Sequence, residues 1–366
     1  MSTKKKIIYV IPTLGTGGAE KFVLELAHNI NANLFDISII SFYNLKGSTH
    51  TYDYLINKNV KIYFLDKKLG LDFRLFFRLK KLIKKLKPDI IHAHLGSLIY
   101  LLPSFNKKQK KFFTIHNTPN KEAKGFQKLI RSYCFKHKKV VPIAISNQIA
   151  KMTEQYYKLK KENIVTIYNG IYLSEMHKDI IQSENDKKFI IINVSGFRPA
   201  KDHLTLLNVY NEFHKKYKNS ELWLLGDGPL KEEIMTYIKG RSISGVVLFG
   251  NVSNVYDYLL KADMFLLTSV YEGLPLCLLE ALSVGLPIVS TNVGGICDII
   301  KDNYNGLLVA PKNVKQMVEK CELLAENVDL QKQLSINAIN SSKQYSIKSC
   351  AKQHEQIYLD KGDAML

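Results

Sequence analysis

The sequence predicts an α/β protein of two Rossmann-like domains, each built on a parallel sheet. Short apolar, β-rich runs alternate with longer amphipathic stretches along the 366 residues. Such strands, apolar almost throughout and separated by helices, belong to parallel sheets covered on both faces. The alternation breaks at a polar stretch, residues 177–188 (HKDIIQSENDKK), and then starts again. The length also suits two domains that each bury a core. The expected division is 1–176, 177–345 and a last segment, 346–366. Ligands of such sheets bind outside the carboxyl ends of the strands. Two facing domains would put that site in the cleft between them.

In the first half the strand candidates are residues 6–11, 36–41, 61–65, 89–94, 111–116, 141–146 and 163–168. Between them lie helical stretches, among them AEKFVLELAHNI (19–30) and FRLFFRLKKLIKKLK (73–87). In the second half the strands are 188–196, 221–226, 245–250, 262–269, 286–291 and 306–310. No repeat of solenoid period is apparent.

The net charge is +19, and its distribution is uneven. Residues 1–180 hold 32 Lys and Arg against 12 Asp and Glu, whereas 181–366 hold 20 against 21. Nucleic acid, an anionic membrane surface or an anionic substrate would each use that excess. A lysine-rich composition serving solubility explains it as well. The five cysteines (Cys134, Cys277, Cys297, Cys321, Cys350) are scattered without metal-ligand or C-x-x-C spacing, and read as thiols of a reducing cytosol. The apolar run after Lys4-Lys5-Lys6 is too short for a signal peptide, and no stretch approaches the ~20 residues of a membrane span. The expected location is the cytoplasm, at most against a membrane face.

Four stretches carry chemistry. IPTLGTGGAEKF (11–22) is a strand, a loop with Gly15, Gly17 and Gly18, then a helix. Glycines admit a ligand close to the backbone, and a helix N-terminus suits a phosphate. A tight strand-to-helix turn explains the glycines equally, and the spacing is not the dinucleotide fingerprint, which counts against a nicotinamide oxidoreductase. VSGFRPAKDH (194–203) sets Arg198 and Lys201 at a strand's carboxyl end, where two cations would clamp a diphosphate; two solvated loop cations are the plainer reading. LLGDGPL (224–230) is a turn signal. YEGLPLCLLE (271–280) places Glu272 before a turn and Glu280 inside an apolar helix started by Pro275. A carboxylate there is costly unless something pairs with it.

The order and spacing of these stretches resemble glycosyltransferase family 4, retaining enzymes of the two-Rossmann-domain type called GT-B. Glu272 and Glu280 match its E-x7-E motif in the setting E-G-x-P-x-x-x-x-E-A-x-x-x-G-x-P-V, here with Ile288 before Val289. The GDGP turn, Asn169-Gly170, the glycine pair at 294–295, GTGGAE and PDIIHAH match as well. The likeness spans nearly the whole chain, and the second half is its specific part. It implies that Glu280 accepts hydrogen bonds from ribose hydroxyls of a nucleotide sugar. Glu272 would bind donor-sugar hydroxyls, with the backbone of Gly273, Leu274, Pro275 and Leu276 nearby. Lys201 would bind the diphosphate, and Gly15, Gly17 and Gly18 would face the donor phosphate and sugar. His116 would contact the sugar near the reacting carbon. Gly196 and Asn251 would complete the donor side. Of His92 and His94, the inward one reads as a packed histidine. The family's phosphate arginine falls at Gly196, and Arg198, two residues on, would replace it if the segment stayed extended.

The resemblance implies no metal, a nucleotide-diphosphate sugar as co-substrate, and a glycan or lipid-diphosphate-linked acceptor bound by the first half, in bacterial surface-polysaccharide synthesis. A front-face mechanism fits better than double displacement, because Glu272, the one candidate nucleophile, binds hydroxyls instead. Helix 73–87 sets Arg74, Arg78, Lys81 and Lys85 along one face and Leu75, Leu79, Leu82 and Leu86 along another. Its cationic face would meet anionic headgroups of the cytoplasmic leaflet while the apolar face covers the sheet. The resemblance also implies that the last helix, 346–360, returns to the first domain. A nucleotide-sugar epimerase of related fold is the alternative enzyme; a basic nucleic-acid-binding protein would leave E-x7-E unexplained.

Overall fold

The computed structural model describes residues 4–44, 60–178 and 188–360, and the chain divides into two compact units. Unit 1 is residues 1–170 with 347–366, and unit 2 is 171–346. The polar stretch expected as the boundary, 177–188, lies outside the described residues except at its ends.

Unit 1 is a seven-stranded parallel sheet: β1 (Lys5–Ile11), β2 (Phe35–Ser41), β3 (Lys61–Phe64), β4 (Ile90–His94), β5 (Lys110–Ile115), β6 (Val141–Ala144) and β7 (Val165–Thr166). Its order is β3-β2-β1-β4-β5-β6-β7. The chain runs outward from β1 in one direction, then restarts at β4 in the other, so the topological switch point lies between β1 and β4. All of β4 and the last five residues of β1 are buried, which explains the unbroken apolar runs.

Unit 2 is a six-stranded parallel sheet: β8 (Phe189–Val194), β9 (Ser220–Leu225), β10 (Val246–Gly250), β11 (Met264–Leu267), β12 (Ile288–Thr291) and β13 (Leu307–Val309). The order β10-β9-β8-β11-β12-β13 puts its switch point between β8 and β11. A core of Leu206, Tyr210, Phe213, Leu222, Leu224, Leu266 and Met317 fills the space between the sheet and the helices covering it.

Among the described residues, the helices of eight residues or more are α1 (Gly18–Asn29), α2 (Phe73–Leu86), α3 (Gly125–Lys136), α4 (Asn147–Tyr157), α5 (His203–Lys216), α6 (Lys231–Gly240), α7 (Leu276–Ser283), α8 (Val314–Glu326), α9 (Val328–Ser342) and α10 (Ile347–Leu359). In α2 the buried face differs from the expected one. Leu75, Leu79 and Ile83 are buried at strict four-residue steps, while Leu82 and Leu86 are half-buried. Arg78 is not a free cation: it bonds Asp72 at 2.9 Å and the Leu65 carbonyl at 2.5 Å. Asp72 is the N-cap of this helix and accepts the Arg74 N–H, so one carboxylate both starts α2 and offsets the charge of Arg78.

Helix α10 packs against α1 in unit 1. Tyr358 and His354 enter the interior, and Glu355 accepts the Asn31 N–H at 2.7 Å. At the end of the first segment, Gly170 lies directly under α10. A Cβ there would stand 2.6 Å from Ile347 Cα and 2.8 Å from Cys350 Cβ. Backbone has little room to give, so Gly170→Ala is expected to cost about 1–3 kcal/mol. Urea unfolding followed by far-UV circular dichroism measures it. An unchanged midpoint would mean that α10 shifts without cost.

Candidate functional site

In unit 2 the loops after the two central strands meet at the switch point. Residues 195–202 follow β8 and residues 268–275 follow β11. The Val270 N–H donates to the Ala200 carbonyl at 2.8 Å, and the Thr268 hydroxyl lies 3.0 Å from the carbonyls of Lys201 and Asp202. These ties bring Lys201 Nζ to 2.5 Å from Glu272 Oε1. The Ser269 hydroxyl, fully buried, donates to the same oxygen at 2.6 Å. Burial alone would lower the Lys201 pKa, but the charge and hydrogen bond of Glu272, with the Cys277 thiol beside them, together outweigh it and hold the ammonium above its ordinary value. The same burial pushes the Cys277 thiol up to about 12.

Glu272 is also fixed from behind. Gly294, at φ +53°, packs onto its backbone so closely that a Cβ would stand 2.0 Å from the Glu272 carbonyl oxygen. The next residue, Gly295, donates its N–H to the Gly273 carbonyl at 2.8 Å. The glycine pair after β12 therefore seats the Glu272–Gly273 turn. Leu274, Pro275 and Leu276 are buried, and Glu280 is 3% exposed on α7.

Strand β8 ends at Val194, so extended geometry does not carry Arg198 toward Gly196. A turn does so instead: Arg198 Nε lies 3.7 Å from where a Cβ on Gly196 would stand. The side chain thus folds back over the residue that lacks one. The GDGP turn closes onto this loop, with the Phe197 N–H donating to the Asp227 carbonyl at 3.0 Å. Asn251 is exposed just beyond the end of β10, two strands from the Lys201–Glu272 pair.

In unit 1 the corresponding switch point gathers the loop after β1 and the ends of β4 and β5. Gly17 is the N-cap of α1, with extended backbone, and Gly18 is its first residue; Gly15 donates its N–H to the Thr13 hydroxyl at 3.1 Å. The Glu20 carboxylate folds against Gly17, so the first turn of α1 carries its own anion. His116 lies edge-on to Phe22 of α1 and bonds His94 across 2.9 Å. His92 and His94 are not one inward and one outward: both are fully buried, and their rings stack at 4.3 Å. His92 bonds Tyr358 at 2.6 Å and Thr114 at 2.7 Å, and His354 stacks on its ring.

Sequence reasoning missed several of these residues. Ser269 carries no signal beyond its place before Glu272. Arg131 is buried on α3 beside Glu122, 3.2 Å away, and donates to the Leu95 carbonyl at 2.9 Å, tying the loops after β4 and β5 together. Glu122 is the sole acid among the lysines of residues 107–139, a signal in hindsight. His354 and Tyr358 reach the site's floor from the far end of the chain.

Two family models match in tandem. Glycosyltransferase Family 4 matches residues 16–175, and Glycosyl transferases group 1 matches residues 176–341. An N-acetylgalactosaminyltransferase of Campylobacter jejuni that extends a diNAcBac-PP-undecaprenol glycan is 26% identical, over 93% of this chain and 95% of its own. The capsular polysaccharide biosynthesis glycosyltransferase CapH of Staphylococcus aureus is 25% identical, over 97% and 99%. Among solved structures, Anabaena HepE in complex with UDP-glucose superposes with a TM-score of 0.81 at 17% identity, over 96% of this chain and 98% of that one.

The histidine column makes the stability of unit 1 depend on pH. Burial lowers all four rings from 6.5: His116 to about 3, His354 to about 4, and His92 and His94 well below the ordinary value. Between about 4 and 6.5 the unfolded chain therefore binds more protons than the folded one. Stability is complete above 6.5 and falls as the pH drops, by up to ~1.4 kcal/mol per pH unit for each ring. Urea midpoints measured from pH 7 to 5 should decline steeply, and His354→Gln should flatten the decline. An equal slope in the variant would contradict this.

Proposed function

The chain belongs to glycosyltransferase family 4, and from that premise we propose that it transfers a sugar, with retention, from a nucleotide-diphosphate sugar to a glycan or lipid-diphosphate-linked acceptor in bacterial surface-polysaccharide synthesis. The observation that carries the donor reading is the Lys201–Glu272 pair, at the switch point where α/β sheets bind ligands. The relatives' substrates support the acceptor class: one extends an undecaprenol-diphosphate glycan and another acts in capsule synthesis.

The chemical problem is a nucleoside diphosphate that leaves with growing negative charge beside an oxocarbenium-like sugar. Lys201 stays charged despite burial and, with Arg198 folded over Gly196, would take up that charge. Glu272 Oε1 is already held by Lys201 and Ser269, which fixes the carboxylate's orientation. Its second oxygen would accept donor-sugar hydroxyls. Glu280, buried on α7, would accept the ribose hydroxyls. Gly15, Gly17 and Gly18 would face the donor from unit 1, and Asn251 would border it in unit 2. His116, kept neutral by burial at pH 7, would hydrogen-bond the sugar without adding charge at the reacting carbon. The acceptor would be deprotonated with help from the leaving phosphate, a front-face route with no metal.

Nucleotide sugars screened by thermal shift should include one that raises the melting temperature by mass action. With that donor, Lys201→Ala should abolish transfer and Arg198→Ala should lower kcat by about tenfold or more. An Arg198→Ala enzyme of full activity would remove Arg198 from the clamp. Ser269→Ala should lower kcat/KM by about tenfold, the worth of one hydrogen bond to a charged group. Trapping of a glycosyl–Glu272 ester would overturn the front-face route, and an inverted product anomer would overturn retention.

A further inference from the structure

Unit 1 displays apolar side chains that its own fold leaves uncovered. Leu69 is 92% exposed, Leu71 61%, Phe73 67% and Phe77 76%. They sit on the loop before α2 and on its first turns. The loop is firmly built. The Lys67 ammonium donates to the Tyr43 hydroxyl and to the carbonyls of Lys68 and Gly70. Asp72 accepts the N–H groups of Lys68 and Arg74 and pairs with Arg78. Polar bonds thus hold a backbone whose apolar side chains point into solvent. A second such strip lies on α3, where Phe126 (69% exposed), Leu129 (68%) and Tyr133 follow one another on a single face.

The two apolar features belong to one region. Both helices start from the carboxyl-end edge of the sheet, α2 after β3 and α3 after β5. The chain after β4 lies between them: Tyr100 packs on Phe76 of α2 at 4.7 Å, while Gly96, Leu98 and Ile99 line a cleft with Gln127, Ile130 and Arg131 of α3. Cations surround both. Residues 66–87 carry nine Lys and Arg against Asp66 and Asp72, and residues 121–139 carry seven against Glu122. Those acids are engaged, Asp66 by Asn44, Asp72 by Arg78 and Glu122 by Arg131.

We infer that this edge of unit 1 docks on an anionic phospholipid bilayer, with the 69–77 tip and the 126–133 strip entering the interface and the surrounding lysines meeting headgroups. Large exposed apolar side chains at one edge mark an interaction surface. The excess of cations selects an anionic partner and opposes a second copy of this chain, which would bring the same charge. Interleaved Phe, Leu and Lys match the bilayer boundary, where apolar side chains bury and lysine stems extend to the headgroups. This differs from a helix lying flat on its cationic face: the charge of Arg78 is already paired with Asp72, and insertion falls to the loop and the helix start. The lipid tail of an acceptor would then stay in the bilayer while its head reaches the strand ends. The inference rests on the lipid-linked-acceptor reading only for the choice of partner.

The test is sedimentation of the full chain with vesicles of phosphatidylcholine alone or mixed with phosphatidylglycerol, at low and high salt. The wild type should partition onto the mixed vesicles only. A Phe73→Ser/Phe77→Ser variant should lose about tenfold or more in partition coefficient, and Phe126→Ser/Leu129→Ser should behave alike. Thermal shift by the donor should be unchanged in both variants, which reports folding and separates failure of docking from failure of the glycosyltransferase reading. Absence of partition, variants that partition like the wild type, or a wild-type dimer that these substitutions dissociate would each overturn it.

Discussion

The buried ion pair between Lys201 and Glu272 constrains everything around it in unit 2. Either charge alone at that depth would be strongly destabilising, since removing one partner of a buried pair costs about 3–5 kcal/mol. The two residues come from loops on either side of the switch point, so their meeting needs β8 and β11 to be neighbours. It also needs both loops to leave the sheet in fixed directions. The Thr268 and Val270 bonds to residues 200–202 supply the second condition. The close seat of Gly294 under Glu272 supplies the third, a turn that cannot drift away from the lysine. The pair thereby forms a concentrated, oriented dipole at the carboxyl end of the sheet.

Unit 1 is built on another principle. Its switch point is lined by rings that carry no charge at neutral pH. His92 bonds Tyr358 and Thr114, His94 bonds His116, and His354 bonds the Cys350 carbonyl, while His94 Nε2 and His354 Nε2 are buried without a hydrogen-bond partner. Burial thus leaves that switch point lined by neutral, polarisable rings instead of ammonium groups. The ion pair of Glu122 with Arg131 lies behind the ends of β4 and β5 and ties their loops together.

Much of this was legible in the sequence. The thirteen strands among the described residues fall on the apolar runs that announced them, because a strand buried on both faces leaves an unbroken signature. The glutamates, Lys201 and the glycine pair stood out because their spacing is shared with a family. The faces of α2 were less legible. Period alone placed Leu82 and Leu86 with Leu75 and Leu79, but Ile83 takes the buried position at the four-residue step. Arg78 looked like a free cation because its partner, Asp72, has a second task as the helix cap. Arg198 returns to Gly196 through a turn, and no local pattern encodes that. Partners distant in sequence, such as Tyr358 for His92, leave no trace in either segment. Their pairing follows from topology.

That last pairing has a consequence for biosynthesis. Unit 1 is discontinuous: its helix α10 leaves the ribosome only after all of unit 2. Until residues 347–359 emerge, the interior face holding Tyr9, His92 and Phe35 lacks the cover that Tyr358 and His354 provide. The contiguous unit, residues 171–346, can complete its fold first, and the N-terminal unit waits for its end to return. A nascent chain stalled before α10 would expose an unfinished core to the quality-control machinery of the cell. Helix α10 thus acts as a check on translation: the N-terminal unit closes only on chains translated past unit 2 and through residue 359.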